Sequence, residues 1–277
     1  MKDNYVAYQG LLSKAQVSQL NAYVQAGVLA TARQIGDWLA QQWQLDYSDS
    51  AIRAILSKLK FVHKKVKLMP SKADAHQQEA FVAEFNEVMA DLPSDTVVYF
   101  GDATHPTHNT RPDKAWIKKG HDKYIAANSG RKRVNLNGLV NAKDPTDVVV
   151  VEAETVNAQN TIILYQKLLA HQPGKKLLII CDNAPYYRSR LLQNWLNDQP
   201  LLKQWFLPTY SPNLNLIERL WGFMKQKVVS LTFYPAYKEF KAAVLNFFQH
   251  IDQYEFELNQ LLTLKFQILN APLDKPT

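Results

Sequence analysis

The sequence predicts a mixed α/β domain, a five-stranded sheet with flanking helices, preceded by a small all-α domain. Three observations predict it. Residues 13–60 contain three runs of helical period, each with a Ser, Thr or Asp placed to cap it. From residue 93 the pattern changes to five short β-type runs interleaved with helical ones. The charge divides in the same way: residues 1–70 hold nine Lys or Arg against four Asp or Glu, which accounts for +5 of the overall +7. At 277 residues the chain is long enough for a core in one or two domains, and 47% hydrophobic residues is ordinary for a globular protein. No run of 18 apolar residues suggests a membrane span, and the first residues lack the apolar centre of a signal peptide. The single cysteine, Cys181, excludes an internal disulfide and a cysteine-rich metal site, and fits a reducing, cytoplasmic setting. A pI near 9.2 favours a polyanionic partner.

Ser13 caps the first helix, whose Val17, Leu20 and Val24 share a face and which ends at Gly27. Thr31 caps the second, with Ile35, Trp38 and Leu39 inward. Ser48 or Asp49 caps the third, which buries Ile52, Ile55, Leu56 and Leu59 and leaves Ser50, Arg53, Ser57 and Lys58 outside. FVHKKVKLMP follows, short and alternating like a small β-wing. Three helices and a basic wing form the pattern of a winged helix-turn-helix, with six basic residues and no acid from Arg53 to Lys67. In that reading Ser50, Arg53, Ser57 and Lys58 face the major groove of double-stranded DNA, and Lys64 and Lys65 meet phosphates. The competing reading is a helical bundle whose exposed face is basic without consequence. Residues 73–92 read as a further helix with Phe81, Phe85, Val88 and Leu92 on its apolar stripe. The expected organisation is a DNA-binding domain over 1–70, a connector helix over 71–92 and a catalytic domain over 93–277.

Within the last segment the expected strands are TVVYFGD, RVNLNGLVNA, DVVVVEAE, KKLLIICDNA and LKQWFLP. A helix over NAQNTIILYQKLLAHQ follows the third strand, and SRLLQNWLND lies between the fourth and fifth. LIERLWGFMKQKV, PAYKEFKAAVLNFFQHI and FELNQLLTLKF are helices beyond the fifth. Periodicity alone specifies a mixed sheet with flanking helices; the order of elements is that of a ribonuclease H-like domain.

Asp102 and Asp182 each stand where an apolar strand runs out, the usual place of sites in α/β sheets. On neighbouring strands, about 4.8 Å apart, their carboxylates converge. Glu218 lies in the first turn of the helix that follows LPTYSP, where a third acid closes the cluster. Packed carboxylates repel, and a divalent cation relieves the repulsion. Oxygen-only ligation favours Mg2+ or Mn2+, and two such ions serve phosphoryl transfer. A lone Asp at a strand end is most often a turn or a cap, so the trio carries weight that each member alone does not.

VYFGDATHPTHN, WIKKG, RKRVNLNGLVN, CDNAPYYRS and LPTYSPNLNLIERLWGFMK, in that order, resemble bacterial insertion-sequence transposases of the mariner-like superfamily. The resemblance runs from about Leu11 to Val228. It implies a ribonuclease H-like Asp-Asp-Glu catalytic domain, with Asp102, Asp182 and Glu218 as the catalytic, metal-holding acids. Two Mg2+ or Mn2+ ions then cut transposon-end DNA, and the freed 3′-hydroxyl joins target DNA, commonly at TA. It also implies a homodimer in the active complex and a bacterial, nucleoid-associated location. Asn183 matches the residue after the second acid and shapes the local turn. The family often has an acid where this chain has Ala103, a histidine where it has Tyr186-Tyr187, and Pro-Glu-Leu-Asn-Pro where it has Pro212 to Leu216. Members often carry two helix-turn-helix units; one is evident here.

His105, His108 and His121 lack the spacing of a zinc site, which leaves His105 a supporting role near the acids or loop packing. Tyr186, Tyr187 and Arg188 are expected exposed beside Asp182, contacting DNA or packing on the surface. Cys181 reads as core. No glycine-rich phosphate loop implies a nucleotide cofactor. Two rival functions remain: a catalytically silent descendant acting as a DNA-binding regulator, which the intact trio opposes, and a nuclease of RNA–DNA hybrids, which the basic N-terminal domain opposes.

Overall fold

A computed structural model describes residues 12–64, 66, 70 and 72–268. The chain falls into two compact units, Met1–Leu68 and Met69–Thr277.

The first unit holds α1 (Lys14–Ala26), α2 (Ala32–Trp43) and α3 (Asp49–Lys58). Ser13, Thr31 and Ser48 cap them through side-chain oxygens, the first two in reciprocal capping boxes with Gln16 and Gln34. Leu20, Ile35, Leu39 and Ile52 form the core. Gly36 lets α3 approach α2: a Cβ there would lie 2.9 Å from Ile52 Cδ1. Ser50, Arg53, Ser57 and Lys58 are all exposed. Of the stretch expected as a β-wing, residues 61–64 and 66 are not in a strand, and Lys65 with residues 67–69 lies outside the described residues. After α3 the chain turns through Lys60 in the left-handed region (φ 65°), with Phe61 N–H bonded to Leu56 O at 2.9 Å. His63 Nε2 then lies 3.1 Å from Ala30 O, a side-chain contact that ties this stretch to the residue before Thr31.

In the second unit the strands are β1 (Thr96–Thr104), β2 (Asn135–Asn141), β3 (Val148–Ala153), β4 (Lys176–Cys181) and β5 (Leu202–Phe206). Their spatial order is β3-β2-β1-β4-β5, with β2 antiparallel to β1 and β3, and β4 parallel to β1 and β5. This is the ribonuclease H-like order expected. Helices are α4 (Ala75–Ala90), α5 (Ala158–His171), α6 (Arg190–Asn197), α7 (Leu216–Met224), α8 (Tyr237–Gln249) and α9 (Glu255–Leu261).

The sheet divides the core by alternation. On one face Val98, Phe100 and Ile180 meet α4, α7 and α8. On the other Tyr99, Ile179 and Cys181 meet Leu164, Tyr165 and Leu192 of α5 and α6. α4, expected as a connector, contributes Phe81 and Phe85 to the first face and packs on Trp205. The last helix stops at Leu261, short of the run predicted through Phe266. Arg219 of α7 explains the stop. Its guanidinium donates to the carbonyls of Leu261, Thr263 and Lys265, drawing the chain across α7 so that Phe266 reaches Phe85 and Phe100.

α7 seats on the sheet through Trp221, and Gly138 of β2 makes room. A Cβ at Gly138 would lie 2.6 Å from Trp221 Cη2. Gly138→Ala should therefore lower stability by about 1–3 kcal/mol, the ordinary cost of overpacking a core. Urea denaturation measures this, and an unchanged midpoint would show that Trp221 is not held against β2.

Candidate active site

Register brings the two aspartates together. Gly101 of β1 is paired with Cys181 of parallel β4, so the next residues, Asp102 and Asp182, leave adjacent strands side by side. Asp102 is two residues beyond Phe100 and Asp182 two beyond Ile180, so both carboxylates lie on the face that α7 covers. Asp102 does not terminate its strand, as the sequence suggested: β1 continues to Thr104, and Asp102 is paired with Gly138. That pairing also fixes Glu218. Trp221 rests over Gly138, and Glu218 stands one helical turn before Trp221 on the same face, which carries it to Asp102.

The three acids line one cavity of about 480 Å³, together with Asn183, Thr209, Tyr210, Ser211 and Asn215. Burial, then the charges of Glu218 and Asp182, push the Asp102 carboxyl up to about 8. Burial also raises Glu218; Lys225 opposes the shift, and Glu218 keeps much of its side chain in solvent. Asp102 and Glu218 lie close enough for each to act on the other's carboxyl. Among the described residues no three His, Cys, Asp or Glu side chains already close around a point that a cation could fill. The donor set nonetheless fits a hard cation. It is all oxygen, burial and mutual repulsion both disfavour its negative charge, and the cavity has room.

Two further residues shape the cavity. Asn215, 3% exposed, donates from Nδ2 to Gly101 O at 3.1 Å, tying the start of α7 to the residue before Asp102. The sequence marked Asn215 only as part of a motif. Its position before a helix signals an N-cap, but the side chain makes no capping bond and crosses to β1 instead. Asn183 donates from Nδ2 to Leu207 O at 2.7 Å and so bridges the ends of β4 and β5. Tyr210 at the rim takes a left-handed backbone (φ 58°), a conformation that costs energy for a non-glycine residue.

Other expected residues lie elsewhere. His105 does not line the cavity; its Nδ1 is 2.8 Å from Asn135 Oδ1. His108 is buried against Phe240, with Nε2 2.7 Å from Tyr234 O, which is loop packing. Tyr187 is fully buried, contrary to the expected exposure. The chain after β4 winds through a tight turn, Tyr187 N–H to Ala184 O at 3.0 Å, and this drops the ring into the core beside Tyr186. Arg188 is the exposed member of the group.

A family model described as DDE superfamily endonuclease matches residues 97–241, more than half of the chain. The chain belongs to the DDE superfamily of endonucleases. A second model, described as winged helix-turn helix, matches residues 26–85 of this DDE protein. It is 25% identical over 149 residues to the insertion element IS630 uncharacterized 39 kDa protein of Shigella sonnei, covering 53% of the present chain and 43% of that one. It therefore spans less than half the length of this curated relative. Its structure is similar to the Mos1 transposase paired-end complex with left transposon end, at a TM-score of 0.65 and 20% identity over 93% of this chain and 78% of that one. It is also similar to the Mos1 mariner paired end complex with Mn, at a TM-score of 0.66 and 18% identity over 95% and 79%. At these identities the likeness shows the fold, which is the ribonuclease H-like one. Among the described residues no helix is long and apolar enough to cross a membrane.

The raised Asp102 carboxyl has a measurable consequence. Its folded value lies above its ordinary 3.8, so its contribution to stability is complete below about 4 and is lost as pH rises through about 8. Metal-free protein should lose up to about 1.4 kcal/mol per pH unit across that window from this group. Asp102→Asn, which stays neutral, should flatten the dependence in denaturation curves recorded in chelator. Parallel pH profiles for the two proteins would show that Asp102 is not the proton holder.

Proposed function

We propose that the chain is a DNA transposase that cuts phosphodiester bonds at transposon ends and joins the freed 3′-hydroxyl to target DNA, at TA. The observation that carries this reading is the convergence of Asp102, Asp182 and Glu218 in one cavity. Two divalent cations, Mg2+ or Mn2+, when bound there supply nucleophile activation and charge stabilisation for in-line phosphoryl transfer. Asp102 and Asp182 hold them from the sheet and Glu218 from α7. Cations bound there would favour the charged form of Asp102, whose carboxyl is pushed up to about 8 without them. Asn215 and Trp221 hold the acids in place before substrate arrives, which is the protein's principal contribution to such a reaction. Lys225, close enough to Glu218 to oppose its rise, offsets part of the negative charge.

The N-terminal unit supplies end recognition in this reading. Ser50, Arg53, Ser57 and Lys58 present an exposed polar and basic strip on α3, with Lys64 exposed beyond it. Arg53 keeps only a long, solvent-exposed pairing with Asp49, 3.9 Å, which costs little to release. A homodimer holding two ends fits the paired-end complexes of the structural relatives.

Two experiments test the proposal. Full-length protein with Mn2+ should cut and join duplexes bearing the terminal repeats that flank its gene. Glu218→Ala should lower this at least about a hundredfold with end binding intact; undiminished cutting would remove Glu218 from the mechanism. Arg53→Ala combined with Lys58→Ala should weaken end binding and, if both residues reach phosphates, reduce the salt slope by about 1.8. An unchanged affinity and slope would reassign α3 to a structural role.

A further inference from the structure

Arg188 is exposed, yet its guanidinium is held in one orientation. The guanidinium carbon stacks 3.9 Å from the centre of the Phe206 ring. Nε lies 3.1 Å from Asn183 Oδ1, and Nη2 bonds to the same oxygen. Asn183 is itself tied to Leu207 O. None of the ion pairs among the described residues includes Arg188. The Nε–Nη2 edge is therefore committed, and Nη1 with the outer edge of the fork stays free. An open groove containing Arg188 adjoins the acid cavity, sharing Asn183, Leu207, Pro208 and Thr209 with it. Glu84 also lines this groove, outside ion-pair distance of Arg188.

A stacked, pre-oriented guanidinium with a free edge and no carboxylate partner suits one ligand chemistry, a phosphate diester held through two N–H donors. Lysine in the same place would bring charge without the fork. The acid cavity repels a DNA strand along its own length, so a cation on its margin is where that strand regains favourable contact. We propose that Arg188 binds a backbone phosphate of the cut DNA strand, neighbouring the scissile one, and so sets how the strand enters the cavity. The inference rests on the transposase reading and goes beyond it by assigning a strand-positioning contact.

The test uses the full chain and terminal-repeat duplexes carrying one neutral methylphosphonate at each position around the cut in turn. Binding is read in Ca2+, so the result does not depend on cleavage, and the rate of cutting is read in Mn2+. One position should cost wild-type protein about tenfold in binding, the scale of a lost charge-assisted contact. Arg188→Ala should bind unmodified DNA about tenfold more weakly and lose nothing further at that position, with Arg188→Lys intermediate. Mn2+ affinity, followed by electron paramagnetic resonance, and the thermal midpoint should match wild type. An Arg188→Ala protein that still shows the full methylphosphonate loss at every position would overturn the contact. So would a defect that tracks weaker Mn2+ binding, since Arg188 would then only brace Asn183 beside Asp182. Inorganic phosphate should not compete at ionic strengths held constant; displacement of the duplex by phosphate alone would reassign Arg188 to a free-anion site. Absence of Mn2+-dependent cutting by wild type, with the methylphosphonate pattern intact in Ca2+, would count against the catalytic reading and leave the contact standing.

Discussion

The pairing of β1 with β4 in parallel, Gly101 opposite Cys181, is the constraint on which the rest of the second unit depends. It places two carboxylates on neighbouring strands and on one face of the sheet. A slip of one residue would send one of them to the opposite face, because side chains alternate with a period of two. The same register leaves Asp102 across from Gly138, the one point on β2 where a large indole can descend onto the backbone. Trp221 takes that place, and α7 is fixed in depth and rotation. Glu218 is thus positioned by packing three residues away from it.

This arrangement is costly in the absence of cations. Burial and mutual repulsion push the Asp102 carboxyl up to about 8. Such a cluster is held together by its surroundings: Asn215 tied to Gly101, Asn183 tied to Leu207, and Arg219 binding three carbonyls at and beyond the end of α9. Each bond satisfies a group near the site with a neutral or remote partner and places no cation against the carboxylates. Local strain at Tyr210, on the cavity rim, belongs to the same pattern, since strained backbone persists where the surrounding fold over-determines it.

Most elements were legible because their signals are local. Caps at Ser13, Thr31 and Ser48 work within four residues, and the apolar strands declare themselves by composition. The misreadings share a cause. Tyr187 follows a turn whose hand decides between solvent and core, and its neighbours in sequence do not specify that hand. The helix expected through Phe266 ends early because Arg219, more than forty residues away, binds its trailing carbonyls. α4 reads as a connector from its place in the chain, whereas Phe81 and Phe85 make it part of the core.

The sequence by itself singled out Asp102, Asp182 and Glu218, which sit in motifs whose composition and order are informative without coordinates. It also determined the order of strands and helices along the chain. Only the tertiary structure decided that the three acids share a cavity, that burial raises the Asp102 carboxyl, and that Asn215 and Gly138 govern their spacing. The physical reason is range. Propensity, capping and periodicity act over a few residues and are written in them. A carboxyl's proton affinity and a helix's depth on a sheet depend on groups brought together across dozens of residues, and these have no value until the chain has closed around them.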